Sequence, residues 1–223
     1  GGWAARAAFP AEVLVVVVPD VIGDRLDVIA SGPFYPDPTT YEDALRVMED
    51  RGVWTSMPES IREHIRRGTA GHIPETPKAD ARCFGKIQHV VCANNALALQ
   101  GAARKAAELG YESRIVNTGL GGEARDAAGH FCERVAAASN SATRPTCLIS
   151  GGETTVTLGE SYGRGGRNQE FALAASLCIQ EQPNVAILSC GTDGTDGPTD
   201  AAGAFVDGST VRRAHERGLN PRE

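Results

Sequence analysis

Two glycine-rich segments contain residue types that suit the binding of a phosphate group. Residues 151–155 read Gly-Gly-Glu-Thr-Thr, and residues 163–168 read Gly-Arg-Gly-Gly-Arg-Asn. Glycines let backbone N–H groups approach a phosphate closely, and a helix predicted to begin near Asn168 adds partial positive charge. Arg167 can clamp phosphate oxygens in a bidentate manner. The Walker A pattern GxxxxGK[ST] is absent, and a glycine-rich hairpin with a solvated arginine is the alternative.

A third segment, residues 191–200, reads Gly-Thr-Asp-Gly-Thr-Asp-Gly-Pro-Thr-Asp and follows an apolar, strand-like run. Carboxylates and threonine hydroxyls at this density can coordinate Mg²⁺ and orient a nucleotide phosphate. Calcium is the rival metal. An EF-hand loop that began at Asp193 would need a glutamate where Ala204 stands, so we set the calcium interpretation aside.

Near the N-terminus, two carboxylates, Asp20 and Asp24, lie four residues apart in a glycine-containing loop. They can hold Mg²⁺ or orient a substrate hydroxyl. Ser31 and Gly32 follow and offer hydrogen-bond donors to an anion. An Asx-type turn with a helix cap explains the same residues equally well.

Residues 119–124, Gly-Leu-Gly-Gly-Glu-Ala, match the dinucleotide fingerprint GxGxxA between a predicted strand and a predicted helix. That motif also needs an acidic residue roughly 20 positions further on, at the end of the next strand. The next strand begins only near Thr146, and Glu153 lies too far along the chain. We therefore interpret the match as a tight strand-to-helix turn, with NAD binding as the weaker alternative.

Strand-like and helix-like segments alternate along the chain. This alternation predicts an α/β fold with a parallel, Rossmann-like sheet flanked by helices, whose ligands bind beyond the carboxyl ends of the strands. The β-branched run at 13–18 is typical of a strand buried on both faces. A polar stretch at 139–144 indicates a domain boundary. Strands are predicted at residues 13–18, 87–92, 113–117, 146–150 and 184–190, and helices at 41–50, 60–67, 95–109, 123–138, 168–179 and 209–217.

Composition excludes several classes of partner. The chain of 223 residues has a formal net charge of −6 and contains no Lys/Arg-rich run, which argues against nucleic acid as a partner. It also has no apolar run near the roughly 20 residues of a membrane-spanning helix. The six cysteines are dispersed, without metal-ligand spacing. We expect reduced thiols and a cytoplasmic location.

The strings LISGGETTVTLG, GRGGRNQEFALAA and GTDGTDGPTDAAGAFVDG resemble the C-terminal MOFRL domain of the glycerate 2-kinase family, which also carries the name hydroxypyruvate reductase. Upstream, PDVIGDRLDVIASGPFYPDPTT resembles the family segment SDVxGDxxxxIASGPTxPDPTT. The resemblance covers essentially the whole chain. It implies that residues 1–142 form the C-terminal part of a Rossmann-like domain and that residues 143–223 form a second, smaller α/β domain, the MOFRL domain.

The resemblance implies an enzyme that uses ATP and Mg²⁺ to phosphorylate D-glycerate on its 2-hydroxyl, giving 2-phosphoglycerate. It leaves the oligomeric state open, with a homodimer as one alternative. Carried over by position, the catalytic residues are Arg167, Asp193, Asp20 and Asp24, the metal ligands are Asp193 and Asp196, the substrate contacts are Ser31 and Gly32, and the nucleotide contacts are Gly151, Gly152, Glu153, Thr154, Gly165, Gly166, Asn168, Glu170, Gly191, Thr192 and Gly194.

This sequence departs from the family pattern in ways that affect the prediction. Pro19 replaces a serine, and Phe34-Tyr35 replaces Thr-Val, so substrate preference can differ. Family members are about twice as long, and the parts without a counterpart here contain a lysine expected in the active site and a GPTGTN-like closing segment. We expect a partial chain that is inactive alone. The alternatives are an NAD(P)H-dependent hydroxypyruvate reductase and a non-catalytic module that binds a nucleotide or sugar phosphate.

Overall fold

The computed structural model describes residues 1–19, 23, 25–160 and 162–222, and the chain forms two compact units, Gly1–Asn94 and Asn95–Glu223. The predicted α/β class is confirmed, because helices and parallel strand pairs occur in both units. The predicted boundary at residues 142 and 143 stays a prediction. Within the described residues, no helix combines the length and apolar character that crossing a membrane requires.

In its described residues, the first unit contains three helices and one parallel strand pair. Strand β1 pairs with strand β2 in register from Val13 opposite Ile87 to Val17 opposite Val91. Three short 3₁₀ turns, at Ile29–Ser31, Trp54–Ser56 and Arg82–Lys86, lie in the connections. The elements are α1 (Trp3–Ala8), β1 (Val13–Val17), α2 (Tyr41–Asp50), α3 (Glu59–Thr69) and β2 (Ile87–Val91).

The expectation that β1 is buried on both faces is wrong for this chain. Burial alternates along the strand, and Leu14 and Val16 leave 62% and 63% of their surface exposed. Successive side chains of a strand point to opposite faces, and one face of this two-stranded sheet is open within the described residues. The β-branched run therefore marked the strand correctly but not its surroundings.

Helix α2 begins where local chemistry predicts. The Thr40 hydroxyl accepts a hydrogen bond from the Asp43 N–H at 3.2 Å, and the Asp43 carboxylate accepts one from the Thr40 N–H at 3.0 Å. This reciprocal arrangement is a capping box, which satisfies two N–H groups that a helix start leaves free. The Tyr41 ring then packs directly on Gly68 of α3, where a Cβ would lie 2.2 Å from Tyr41 Cγ.

Four helices and two strand pairs are described in the second unit. Strands β3 and β4 run parallel, from Glu112 opposite Thr146 to Leu120 opposite Gly152. The described elements are α4 (Asn95–Glu108), β3 (Glu112–Leu120), α5 (Ala124–Ser141), β4 (Thr146–Gly152), α6 (Arg167–Cys178), β5 (Ala186–Cys190), β6 (Gly203–Asp207) and α7 (Thr210–Glu216).

Strand β6 was absent from the sequence-based prediction. It pairs with β5 in antiparallel orientation, with Cys190 opposite Gly203. A Cβ on Gly203 would lie 1.9 Å from the Ser189 carbonyl oxygen, so the two strands approach closely at this position. The parallel arrangement expected from the sequence therefore holds for β1–β2 and β3–β4 but not for β5–β6.

The core of the second unit lies between α5, α6, β5 and β6. Alanines such as Ala128, Ala172 and Ala175 are fully buried and let α5 and α6 approach closely. Phe171 is 5% exposed, and its ring centre lies 6.0 Å from that of Phe131. Burial of one such aromatic side chain stabilises a fold by roughly 1.5–3 kcal/mol. This packing fixes the axis of α6, whose first turn directly follows the glycine-rich loop.

Candidate functional site

The first turn of α6 meets the aspartate-rich loop at Asp196. Its Oδ1 accepts hydrogen bonds from Asn168 N at 3.0 Å and Asn168 Nδ2 at 3.1 Å. Its Oδ2 accepts from Gln169 N at 2.8 Å and Gln169 Nε2 at 3.1 Å. The N–H groups at the start of α6, which we expected to face a phosphate, thus donate to a carboxylate of the protein itself. Asp196 caps α6 from another loop.

Two glycines permit this close approach of the loops. A Cβ on Gly166 would lie 2.4 Å from Asp196 Cγ, and a Cβ on Gly197 would lie 2.1 Å from the Gly165 carbonyl oxygen. Gly197 also has a φ of 58°, a conformation that favours glycine. Gly166 and Gly197 therefore allow the two loops to pack against each other. The glycine-rich pattern around Gly166 had instead predicted close approach of the backbone to a phosphate.

Polar side chains around Asp196 extend the contact into β5. Ser189 Oγ donates to Asn168 Oδ1 at 2.8 Å, and Gln169 Nε2 donates to Thr199 Oγ1 at 3.0 Å. The Thr199 hydroxyl donates in turn to the Asp196 carbonyl oxygen at 2.7 Å. We call Ser189, Asn168, Gln169, Asp196 and Thr199 the Asp196 network.

The network keeps Asp196 ionised. Burial raises the pKa of its carboxyl, but the hydrogen bonds from the N–H groups of Asn168 and Gln169 outweigh burial and hold the pKa below its ordinary value. With 2% of its surface exposed, Asp196 is a buried charge that needs these donors.

Arg167, directly before the network, lies on the surface. Its Nη1 donates to Glu153 Oε1 at 2.5 Å, and the two side chains are 47% and 45% exposed. Glu153 follows β4, so the ion pair joins the loop after β4 to the start of α6. An arginine has five N–H donors, and this ion pair uses one of them. The guanidinium is therefore accessible to an anionic ligand.

Asp193 lies in an exposed turn after β5. Its carboxylate accepts hydrogen bonds at 3.2 Å from both the N–H and the hydroxyl of Thr195, and Gly194 N donates to Gly191 O at 3.1 Å. Thr192 is exposed beside it. This arrangement is an Asx-turn, and it leaves the Asp193 carboxylate exposed to solvent.

The two loop aspartates differ in their fit to Mg²⁺. No group of three or more His, Cys, Asp or Glu side chains that could hold a metal occurs in the described part of the chain. Magnesium is commonly held by one or two carboxylates together with substrate phosphates and water. Asp193 fits that pattern. Asp196 does not, because both of its oxygens already accept two hydrogen bonds.

The glycine pair that ends β4 serves strand packing. A Cβ on Gly152 would lie 2.1 Å from the Leu120 carbonyl oxygen, and one on Gly151 would lie 2.1 Å from Asn95 Oδ1. Asn95 also donates from Nδ2 to the Thr118 carbonyl oxygen at 2.7 Å. Thr154 is half-buried just beyond the pair, whereas Glu170 forms an ion pair with Arg125 of α5 at 2.7 Å.

The GxGxxA match has a structural explanation. Thr155 N donates to Gly122 O, and Ala124 N donates to Thr155 O, both at 2.8 Å. The Glu123 carboxylate accepts from Thr157 Oγ1 at 2.7 Å. The segment after β4 thus covers the turn and uses the first N–H of α5, which a dinucleotide phosphate would need.

In the first unit, the predicted substrate contacts use their backbone donors internally. Ser31 N donates to Val28 O, and Gly32 N donates to Ile29 O, both at 2.9 Å. Ser31 has a φ of 64°, which is uncommon for a residue with a side chain. The Ser31 side chain is exposed. Asp20 and Asp24 lie outside the described residues, so their predicted roles stay predictions.

Sequence reasoning missed Gln169 and Ser189, and it considered Thr199 only as one of the threonine hydroxyls of residues 191–200. No spacing rule predicts the contacts of the first two residues, because Ser189 lies 21 residues from Asn168 and Gln169 lies 27 from Asp196. The one available signal was the Asn-Gln pair at the start of a predicted helix. Such side chains can hydrogen-bond to a neighbouring loop.

The fold and the loops define an α/β protein whose polar loops meet at the start of one helix, with an exposed arginine at that point. Comparison with known proteins then identifies the relatives. Residues 146–223 match the MOFRL family, and residues 1–66 match a domain of unknown function, DUF4147. The resemblance to the glycerate 2-kinase family is confirmed, and the chain is homologous to glycerate kinases along almost its whole length.

Among these relatives, a glycerate 2-kinase of Pyrococcus horikoshii is 42% identical over 210 residues, which are 93% of this chain and 47% of the relative. A D-glycerate 2-kinase of Thermotoga maritima is 42% identical over 225 residues, 99% of this chain and 50% of the relative. The crystal structure of a Thermotoga maritima glycerate kinase superposes with a TM-score of 0.83 at 40% identity, covering 100% of this chain and 51% of that one. The chain thus spans about half the length of these relatives.

Proposed function

We propose that this chain is part of a kinase that transfers the γ-phosphoryl group of ATP to the 2-hydroxyl of D-glycerate, giving 2-phosphoglycerate. The observation that carries the proposal is the exposed Arg167, held beside the loops that follow β4 and β5, in a chain 42% identical to two glycerate 2-kinases. Phosphoryl transfer depends mainly on positioning and on neutralisation of charge, which suits a surface arginine on a rigid helix start.

Arg167 binds the oxygens of the transferred group in this proposal. Its ion pair with Glu153 is exposed on both sides, and such pairs contribute only about 0–1 kcal/mol. The guanidinium can therefore exchange a carboxylate for a phosphate at little cost. A bidentate contact with phosphate oxygens is stronger than the single hydrogen bond it replaces.

Asp193 is the residue that would hold Mg²⁺, which neutralises phosphate charge when bound. The Thr195 hydrogen bonds orient its carboxylate. Asp20 or Asp24 would orient or deprotonate the glycerate hydroxyl, and the Ser31 hydroxyl would contact the substrate. A cytoplasmic location is supported by the six cysteines, which are all free thiols. A homodimer stays a prediction.

The proposal is tested by measuring ADP formation with D-glycerate, on the protein expressed from its complete open reading frame and on this 223-residue chain. We expect D-glycerate-dependent ADP formation from the complete reading frame. Phosphorus NMR of the product should show a phosphate ester at the 2-position. L-Glycerate is the matched control, and equal rates with no acceptor would overturn the proposal.

The alternative reductase activity has one observation in its favour. A putative hydroxypyruvate reductase of Agrobacterium vitis is 37% identical over 100% of this chain and 49% of its own length. Against this stands the turn at residues 119–124, where Thr155 pairs with the Gly122 carbonyl oxygen and with the Ala124 N–H group. Oxidation of NADH or NADPH with hydroxypyruvate, without ADP formation, would favour the reductase. ATP binding without turnover would favour a non-catalytic module.

A further inference from the structure

The Asp196 carboxylate is a buried charge, and the hydrogen bonds that it accepts come from the first turn of α6. Asp196 is 2% exposed, and its four donors come from two consecutive residues, Asn168 and Gln169. A carboxylate has about four lone-pair sites. All four are therefore used within the protein, which leaves none for a cation.

The residue directly before those donors is Arg167. On its other side, Gly166 lies against Asp196 so closely that a Cβ would be 2.4 Å from Asp196 Cγ. The backbone after Arg167 thus donates hydrogen bonds to this carboxylate, and the backbone before Arg167 packs against it. The direction in which the Arg167 side chain leaves the helix depends on that backbone.

We propose that Asp196 is a positioning residue that fixes the first turn of α6, and through it Arg167, rather than a ligand of Mg²⁺. The kinetic part of this inference rests on the proposed kinase function. The network also reaches β5, because Ser189 Oγ donates to Asn168 Oδ1 at 2.8 Å. Asp196 and Ser189 therefore hold the turn from two sides.

The main test is Asp196→Asn in the protein from the complete reading frame. Asparagine has nearly the same shape, but its NH₂ group faces N–H donors and cannot accept from them. We expect kcat to fall by about 10²-fold, as for a displacement of roughly 1 Å of a catalytic group. The Mg²⁺ concentration for half-maximal activity should stay within about twofold, because no metal ligand is lost.

If Asp196 were a ligand of Mg²⁺, the same substitution would give a different dependence of activity on Mg²⁺ concentration. Loss of a metal ligand would raise the half-maximal Mg²⁺ concentration at least about tenfold, and excess Mg²⁺ would restore kcat. That result would overturn the proposal. A double-mutant cycle adds a second readout, since Arg167→Lys should cost less in the Asp196→Asn background than alone if Asp196 acts through Arg167.

Asp207→Asn is the matched structural control. Asp207 accepts hydrogen bonds from Ser209 N at 2.8 Å and Thr210 Oγ1 at 3.2 Å at the start of α7, a helix that does not contain Arg167. We expect a lower Tm with kcat unchanged. If Asp196→Asn likewise lowers only Tm, Asp196 has a structural role alone and the proposal is wrong.

Ser189→Ala tests the contact of the network with β5. This variant keeps the Asp196 contacts, so it should fold and show a smaller loss of kcat than Asp196→Asn. An unchanged kcat would count against a role of Ser189 in positioning Arg167.

Amide hydrogen exchange supplies a readout that needs no turnover. Asp196→Asn should speed exchange at residues 165–171, and Asp207→Asn should not. If the parent protein forms no D-glycerate-dependent ADP, the proposed function fails, but the exchange measurement still decides this inference. Unchanged exchange at residues 165–171 in Asp196→Asn would overturn it.

Discussion

At the scale of single residues, exposure separates Arg167 from the aspartate that holds its helix. Arg167 is 47% exposed with one weak partner, whereas Asp196 is 2% exposed with four donors. A ligand can replace the partner of the first residue at little cost but cannot replace the donors of the second without unfolding the turn. In our proposal, Arg167 therefore takes part in the reaction, and Asp196 holds the helix start that carries it.

Arg167→Lys should lower kcat with D-glycerate by about 10³-fold, because lysine has no planar fork of donors for two phosphate oxygens. Steady-state ADP formation measures the effect. Arg217→Lys, an exposed position after α7, is the matched control and should keep the parent rate. Near-normal turnover of Arg167→Lys would remove Arg167 from the catalytic residues.

The sequence predicted Arg167 as a phosphate-binding residue and Asp193 as a metal-binding residue because both lie in glycine-rich loops that follow predicted strands. It assigned Asp196 to Mg²⁺ together with Asp193 because both carboxylates lie in the same loop of residues 191–200 and the family resemblance carries over both as metal ligands. Burial separates the two, and burial here follows from contact with Asn168, 28 residues earlier. A pattern within ten residues contains no information about such a contact.

At the scale of elements, helices that local sequence determines were predicted well, whereas strands that depend on pairing with a distant strand were predicted less well. Helix α2 has the predicted bounds because Thr40 and Asp43 form its capping box within the helix's own sequence. Strand β6 was missed because Gly203–Asp207 is short and begins with glycine, and its existence depends on pairing with β5. Strand β3 extends to Leu120, into the predicted turn, because it pairs there with Gly152.

Gly68→Ala should destabilise the protein, although alanine normally favours a helix over glycine by about 1 kcal/mol. A Cβ at this position would lie 2.2–2.5 Å from ring atoms of Tyr41, whose hydroxyl is 3.2 Å from His64 Nε2. Overpacking of this kind costs about 1–3 kcal/mol. Urea unfolding followed by circular dichroism measures the change.

Gly101→Ala in α4 is the matched control for that substitution. A Cβ there meets only Arg104 Nη2, at 3.9 Å, so the helix preference of alanine is not opposed. We expect the free energy of unfolding to rise by up to about 1 kcal/mol. Equal effects of Gly68→Ala and Gly101→Ala would show that the contact with Tyr41 is not tight.

At the scale of the whole chain, the composition is that of a globular protein but the strand faces are unusually open. Parallel sheets are normally covered on both faces. Here Leu14, Val16 and Val90 of the parallel β1–β2 pair are 62%, 63% and 46% exposed, in contrast to that rule. In the second unit, Leu188 and Phe205 of the antiparallel β5–β6 pair are 64% and 60% exposed. Each unit therefore has an uncovered apolar strand face, which the hydrophobic pattern alone did not distinguish from a buried one.

Expressed alone, the 223-residue chain should bind a hydrophobic fluorescent dye, because apolar side chains on one strand face form a contiguous exposed patch. Leu14→Thr combined with Val16→Thr should reduce dye fluorescence while circular dichroism stays unchanged, since threonine is β-branched and strands favour β-branched residues. The control is Val13→Thr with Val15→Thr, on the half-buried face of the same strand. Those substitutions should lower Tm without reducing dye binding, because they weaken packing and leave the exposed face intact. Equal dye binding by the parent chain and the Leu14/Val16 variant would show that this face is covered in solution.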